Sequence, residues 1–176
     1  MNLKPIVVML AALSAIPSAQ AQFTHWIEGS LTTQSPTYNR PNSNLQGMSE
    51  DGVGVFYDTY AFTVTASGSY WFWTDSVGYN GVFFLYQNGF DPTHPQVGAL
   101  VGEEEGYGAE LDLVTGQTYI AVNTSFAAAE VGAFRFYISS YDGFDVEVVP
   151  EPAAFGLMVL GLGPIFLARR RRQVVT

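Results

Sequence analysis

Residues 57–65 read YDTYAFTVT and decide the fold class of the chain. Tyr60, Phe62 and Val64 fall on one face of an extended strand, and the small and polar residues between them fall on the other. Residues 132–140, GAFRFYISS, repeat the pattern, with large apolar side chains at every second position and an arginine and a tyrosine opposite them. This alternation is typical of half-buried strands whose apolar side faces a core.

Strand-like runs of this kind recur along most of the chain, separated by glycine, asparagine, aspartate and proline. A long polar loop at residues 32–52 and an acidic loop at residues 103–108 interrupt them. The predicted strands lie at residues 24–30, 57–65, 70–75, 81–87, 109–114, 117–123, 132–140 and 145–149, the last being a strand or a linker. Short strands with frequent turns predict one all-β domain at residues 22–145, an antiparallel jelly-roll-like β-sandwich.

The start of the chain, residues 1–21, has the three parts of a secretory signal peptide. These parts are a positive charge at Lys4, an apolar segment at residues 5–16 and a small-residue cleavage site at Ala19 and Ala21. We therefore expect an N-terminal signal helix, export through the Sec translocon and a mature chain that begins at Gln22. The apolar run is short for the alternative, an uncleaved start-transfer anchor.

A three-part tail occupies residues 146–176. Its parts are a linker at 146–152 that contains Pro150, Glu151 and Pro152, an uncharged run at 153–168, and an end at 169–176 that contains Arg169, Arg170, Arg171 and Arg172. The uncharged run would span about 24 Å as a helix, against about 30 Å for a bilayer core, and flanking arginines can extend its reach. We expect a transmembrane helix with its arginines in the cytoplasm and the β domain outside.

The order of Val-Pro-Glu-Pro, a glycine-containing apolar helix and an arginine cluster resembles the PEP-CTERM sorting domain of Gram-negative bacteria. The resemblance implies that a membrane-embedded exosortase recognises and cleaves the tail at Pro150, Glu151 and Pro152. It also implies a transient stay in the inner membrane, followed by the cell surface or the extracellular polymeric matrix. Pro164 departs from a regular helix but is tolerated in membrane helices. The alternative is a single-pass surface protein that stays anchored.

A second resemblance covers about half of the chain. The segments DTYAFTV (58–64), SGSY (67–70), FFLY (83–86), TGQTYI (115–120) and GAF (132–134) are similar to bacterial pre-peptidase C-terminal (PPC-like) sandwich domains. Such domains are accessory modules of secreted proteins. The resemblance implies a role in binding or targeting and carries no catalytic residues over to this chain.

Composition excludes several classes of function. The chain has 176 residues, no cysteine and a net charge of −9. Between residues 22 and 149, fifteen acidic residues accompany two arginines, Arg40 and Arg135, so the net charge of this part is −13. A body this acidic is unsuited to binding nucleic acid through phosphates. The absence of cysteine excludes disulfides and thiolate sites.

The sequence predicts a protein that is not an enzyme. Its histidines, His25 and His94, are not accompanied by a Gly-x-Ser-x-Gly elbow, a His-Glu-x-x-His pair, a Walker loop or a dinucleotide fingerprint. Adjacent glutamates at residues 103–105 are more typical of a solvated acidic tip than of two carboxyls held across a cleft. A secreted glycan-active hydrolase with an unrecognised site remains the third alternative.

Calcium is the only cofactor that the sequence suggests, because carboxylates are hard oxygen ligands. The candidate ligands are Asp75, Asp91, Glu103, Glu104, Glu105 and Asp112. Their spacing matches no EF-hand or calcium-binding repeat. Acidic loops without metal are therefore the favoured alternative.

Aromatic side chains suggest a binding surface for extracellular polysaccharide. Trp71 and Trp73 share one face of the strand at residues 70–75. If Phe83 and Leu85 point inward, as the resemblance to PPC-like domains implies, Phe84 and Tyr86 point outward from a later strand. Exposed together, these four would form a flat platform for sugar rings, and an apolar patch of that size marks a binding site. The competing interpretation is that both faces are buried, one in the core and one under the loop at 32–52, which is usual for aromatic residues at strand spacing.

Overall fold

The computed structural model describes residues 23–143 and 145–149, which form an all-β sandwich of two antiparallel sheets. The strands are β1 (Phe23–Leu31), β2 (Thr37–Tyr38), β3 (Val55–Val64), β4 (Gly68–Val77), β5 (Gly81–Gln87), β6 (Ala99–Glu104), β7 (Gly108–Leu113), β8 (Tyr119–Ser125), β9 (Gly132–Ser140) and β10 (Val146–Val149). The predicted signal helix at 1–21 and transmembrane helix at 153–168 lie outside the described residues. Within the described ranges, no helix has the length and apolarity needed to cross a membrane.

One sheet has four strands in the order β1-β9-β4-β7. The other has six, in the order β10-β3-β8-β5-β6, with β2 paired to the start of β3. Some strands that follow one another in the chain, such as β3 and β4, lie in opposite sheets. The loop between them crosses the edge of the sandwich.

The alternating apolar residues of β3 and β9 face the core, as their sequence predicts, and all but the partly buried Tyr60 are buried. Phe62, Phe136 and Ile138 are completely inaccessible to solvent and face the space between the sheets. Phe136 contacts Phe72 of β4 and Phe83 of β5, with ring centroids 6.1 and 5.2 Å apart. Each such side chain contributes about 2 to 3 kcal/mol through burial, so this aromatic core is what holds the sheets together.

The outer face of the six-stranded sheet is buried as well. A second hydrophobic cluster covers it, and its buried members are Tyr38, Val55, Val82, Phe84, Tyr86 and Val122. The segment between β1 and β3 supplies Tyr38, and the segment after β5 supplies Phe90, whose ring lies 5.5 Å from that of Tyr38 and 4.9 Å from that of Tyr86. The six-stranded sheet is thus covered on both faces, whereas the four-stranded sheet turns one face to solvent.

Arg40 fastens the long β2–β3 segment to the sandwich. Its side chain is only 2% exposed. Nε and Nη2 donate hydrogen bonds to the carbonyl of Phe126 at 3.3 and 2.9 Å, and Nη1 donates to the carbonyl of Pro41 at 3.0 Å. The guanidinium carbon lies 5.0 Å from the Phe126 ring centroid. Burial lowers the pKa of Arg40 from its usual value. The two carbonyls and the Phe126 ring stabilise the positive charge of its guanidinium.

The predicted loop at residues 103–108 is wrong in part. Strand β6 continues to Glu104, and pairing with β5 sets Glu103 opposite Phe83 and Glu104 opposite Val82. Because β6 is an edge strand, its backbone hydrogen bonds come from β5, and its charged side chains are tolerated there. Local composition does not reveal such a strand.

Candidate functional site

The solvent-facing side of the four-stranded sheet carries a row of aromatic side chains. In the strand register, Trp26 of β1 lies opposite Tyr137 of β9, and Tyr137 lies opposite Trp73 of β4. Trp26 is 55% exposed, and the other two are half-buried. The row exists because these strands place alternate residues outward while Phe72, Phe136 and Ile138 face the core.

Trp73 and Tyr137 form a stacked pair. Their ring centroids are 4.6 Å apart and their planes differ by 4°. Each ring therefore covers one face of the other. Residues directly opposite on neighbouring strands are close enough for such contacts, which contribute about 1 kcal/mol beyond burial.

Gly108 of β7 makes room beside this pair. It lies opposite Trp73 in the register and has no side chain to fill the space. The indole of Trp71 occupies that space instead: a Cβ at Gly108 would meet the six-membered ring of Trp71 at 2.5 Å. A glycine at this position is thus required by the close approach of a tryptophan rather than by its backbone angles.

An aromatic cleft of about 500 Å³ lies next to the stack. Its walls include Trp71, Trp73, Tyr107 and Tyr141, and Asp75 stands at its edge. Tyr107 and Tyr141 are 68% and 61% exposed. The cleft thus combines apolar ring surfaces with a carboxylate, and its volume lies in the range of small-molecule sites.

A second, charged cleft of about 430 Å³ lies on the other side of the stack. Glu28, Asp75, Arg135 and Tyr137 are among its lining residues. The Nε of Arg135 donates to Glu28 Oε1 at 2.8 Å across β9 and β1. Hydrogen bonds with the side chains of Tyr137 and Glu28 raise the pKa of Arg135. Asp75 lines this charged cleft as well as the aromatic cleft.

Trp71 and Trp73 lie half-buried on the solvent-facing side of the four-stranded sheet, whereas the prediction that Phe84 and Tyr86 face outward beside them is wrong. Phe84 and Tyr86 lie on β5 of the opposite sheet and are fully buried beneath the second hydrophobic cluster. The hydroxyl of Tyr86 donates to the carbonyl of Pro95 at 2.6 Å, and burial raises its pKa. These two residues stabilise the loops that cover the six-stranded sheet.

The six acidic residues considered for calcium do not come together. Asp75 and Asp112 are on the four-stranded sheet, Glu103 and Glu104 on β6, and Asp91 in the loop after β5. Among the described residues, no group of three or more histidine, cysteine, aspartate or glutamate side chains is placed to hold a metal ion.

Three of these acids have structural partners. Glu104 Oε1 accepts from the hydroxyl of Ser43 at 3.3 Å. The carboxylate of Glu105 accepts hydrogen bonds from the backbone N–H groups of Ser76 and Gly81, each at 3.0 Å, and so bridges the connection from β4 to β5. Asp91 accepts from the backbone and hydroxyl of Thr93 at 2.8 and 2.7 Å and lies 3.0 Å from His94 Nδ1. These bonds, chiefly those from Thr93, lower the pKa of Asp91 to about 2.

Of the remaining predicted residues, the two histidines lie away from the two clefts, and the others lie outside the residues that the structure describes. His25 is on β1, and His94 is exposed in the Asp91 loop. The cleavage residues Ala19, Ala21 and Gln22 and the sorting residues lie outside the described ranges. These sorting residues are Pro150, Glu151, Pro152, Arg169, Arg170, Arg171 and Arg172.

The sequence did not identify four residues of this face as part of a binding site: Trp26, Tyr107, Tyr137 and Tyr141. Alternation in β9 does place Tyr137 opposite the core residues, so its outward direction was predictable. Its position beside Trp26 and Trp73 depends on β9 lying between β1 and β4, which is a long-range pairing. Tyr107 and Tyr141 lie beyond strand ends, where periodicity gives no direction.

In comparisons with known proteins, no family model matches the chain and no curated protein sequence matches it.

Proposed function

We propose that the protein is an exported, non-catalytic glycan-binding protein of the cell surface or extracellular matrix. One observation carries the proposal. Four aromatic side chains, Trp71, Trp73, Tyr107 and Tyr141, wall a cleft on the solvent-facing side of a sheet whose other side is the core.

The chemistry of this cleft suits sugars. The C–H faces of a sugar ring are apolar and stack on aromatic faces, while its hydroxyls need acceptors and donors at the rim. The rings of Trp71 and Trp73 that line the cleft offer the aromatic surface, and the carboxylate of Asp75 offers acceptors. Tryptophan and tyrosine are also the side chains that provide large, rigid contact area in binding sites.

Delivery to the outside is supported by the sequence pattern at both ends. The signal peptide at 1–21 would direct the chain to the Sec translocon. The tail at 146–176 would hold it briefly in the inner membrane as a helix until an exosortase acts at residues 150–152. The resemblance to PPC-like, jelly-roll-like modules supports the same role, because such modules accompany secreted proteins as accessory binding units.

Retention on immobilised polysaccharides tests the binding part. We would measure retention of the purified full chain, in mild detergent, on hydroxyethyl cellulose, xylan and galactomannan. Trp73→Ala should reduce retention at least tenfold, because it removes one wall of the cleft and the partner of Tyr137. Val97→Ala is the matched control, since Val97 is 70% exposed in a loop away from this face. Equal retention of wild type and Trp73→Ala, or no retention of either, would refute the proposal.

Intact mass of the protein from its native host tests the delivery part. A species that begins at Gln22 and ends near residues 150–152, outside the membrane fraction, is expected. A species that keeps residues 153–176 and occurs only in membranes, in a host with an active exosortase, would indicate the permanently anchored alternative.

A further inference from the structure

We propose that the ligand is an uncharged polysaccharide and that the Asp75 carboxylate is the acceptor that orients it, which rests on the proposed function. Asp75 lies on the outward face of β4, two residues after Trp73, and lines both the aromatic and the charged cleft. A ligand that occupies both clefts must pass this carboxylate.

Asp75 has an obvious partner that it does not use. Arg135 lies directly opposite it in the β4–β9 register, where oppositely charged side chains usually pair. The guanidinium of Arg135 instead turns to Glu28 of β1, on the far side, at 2.8 Å. Within the described ranges, no hydrogen bond or ion pair joins the carboxylate of Asp75 to another residue.

This arrangement leaves Asp75 free to bind hydroxyl groups. A carboxylate has two acceptor oxygens and can accept from two neighbouring hydroxyls at once. Hydrogen bonds to a charged group are stronger than those between neutral groups. Beside the stacked Trp73, the carboxylate would accept from the ring edge of a sugar whose face lies on the indole.

The charge around the clefts favours a neutral ligand. Glu28, Asp75 and Glu110 share the outward face with one cation, Arg135. That cation already pairs with Glu28, and residues 22–149 as a whole carry a net charge of −13. Uronate or sulfate groups would be repelled at this face, whereas hydroxyl groups would not.

Calorimetric titration of the full chain in mild detergent separates the possible results. The ligands are soluble hydroxyethyl cellulose, xylan and galactomannan as neutral chains, and alginate and polygalacturonate as acidic chains. Wild type should bind at least one neutral chain and neither acidic one. Asp75→Asn, which keeps the shape and removes the charge, should weaken that binding at least tenfold. Asp112→Asn is the control, because Asp112 is exposed on the same sheet and does not line either cleft.

The outcomes distinguish this inference from the function on which it rests. Binding of a neutral chain that Trp73→Ala abolishes and Asp75→Asn leaves unchanged would overturn the inference alone. Tighter binding of alginate or polygalacturonate than of any neutral chain would overturn it too. Failure of wild type to bind any of the five polysaccharides would refute both. Circular dichroism of each variant would confirm that it is folded, so that a loss of binding is not caused by misfolding.

Discussion

At the scale of the residue, Gly108 determines the shape of the aromatic cleft. The indole of Trp71 lies where any side chain at this position would be, at 2.5 to 2.7 Å from a Cβ. Gly108→Ala should therefore displace Trp71 and weaken retention on neutral polysaccharide several-fold. Tryptophan near-ultraviolet circular dichroism and the retention assay would measure the two effects.

Ser30→Ala is the control for Gly108→Ala, since Ser30 is exposed on the solvent-facing side of the same sheet, in β1. If Gly108→Ala changed neither the tryptophan signal nor retention, the contribution of Trp71 to the cleft would be disproved.

Asp91 makes a pH-dependent contribution at the residue scale. Its folded pKa of about 2 lies below the ordinary value of 3.8, so ionised Asp91 stabilises the folded state. That contribution is complete above the ordinary pKa and is lost as the pH falls toward about 2. Wild type should thus have a higher melting temperature than Asp91→Asn at pH 6, and the difference should vanish near pH 2. A difference that persists or grows on acidification would contradict the assignment.

At the scale of the element, Glu105 fixes the β4–β5 connection, which passes from one sheet to the other. Its two carboxylate oxygens accept the backbone N–H groups of Ser76 and Gly81. Glu105→Ala should lower the free energy of unfolding by about 2 to 3 kcal/mol, because two hydrogen bonds to a charged group are lost. Urea denaturation measures this, with the exposed Glu50→Ala as the control. A loss no larger than that of the control would show that the β4–β5 connection does not depend on Glu105.

Arg40 has the same role for the segment that covers the six-stranded sheet. Arg40→Ala would remove three hydrogen bonds and leave a buried void beside Phe126. We expect a loss of about 3 kcal/mol in unfolding free energy and faster hydrogen exchange in residues 37–55. Unchanged exchange in this segment would mean that Tyr38 and its aromatic neighbours are enough to keep the segment packed on the six-stranded sheet.

Strands with a clear alternation of apolar and polar residues were predictable from the sequence. Which other elements pack on the faces of the strands was less predictable. The alternation in β3 and β9 predicts both the strands and their buried faces. In β5, the continuous apolar run VFFLY at residues 82–86 is typical of a strand buried on both sides. That run was the signal against an exposed Phe84 and Tyr86. In β4 every residue from 70 to 73 is aromatic, so periodicity could not tell which pair faces solvent.

At the scale of the whole molecule, the two sheets have different neighbours. Loops and a second hydrophobic cluster cover the six-stranded sheet, and the four-stranded sheet presents its aromatic row and clefts. This asymmetry follows from where the long β1–β3 connection packs, a long-range contact that local sequence does not encode. The functional hypothesis depends on it, because a binding face must be the uncovered one.

Hydroxyl-radical footprinting tests this claim most directly. The full chain would be oxidised alone and when saturated with the neutral polysaccharide that retains it, and the modified residues would be located by mass spectrometry. We expect protection of Trp71, Trp73, Tyr107 and Tyr141, with Val97 and His94 in the loop after β5 unchanged. Bound protein whose cleft aromatics stay fully reactive, or whose protection falls on that loop, would show that the polysaccharide does not bind at the uncovered face of the four-stranded sheet.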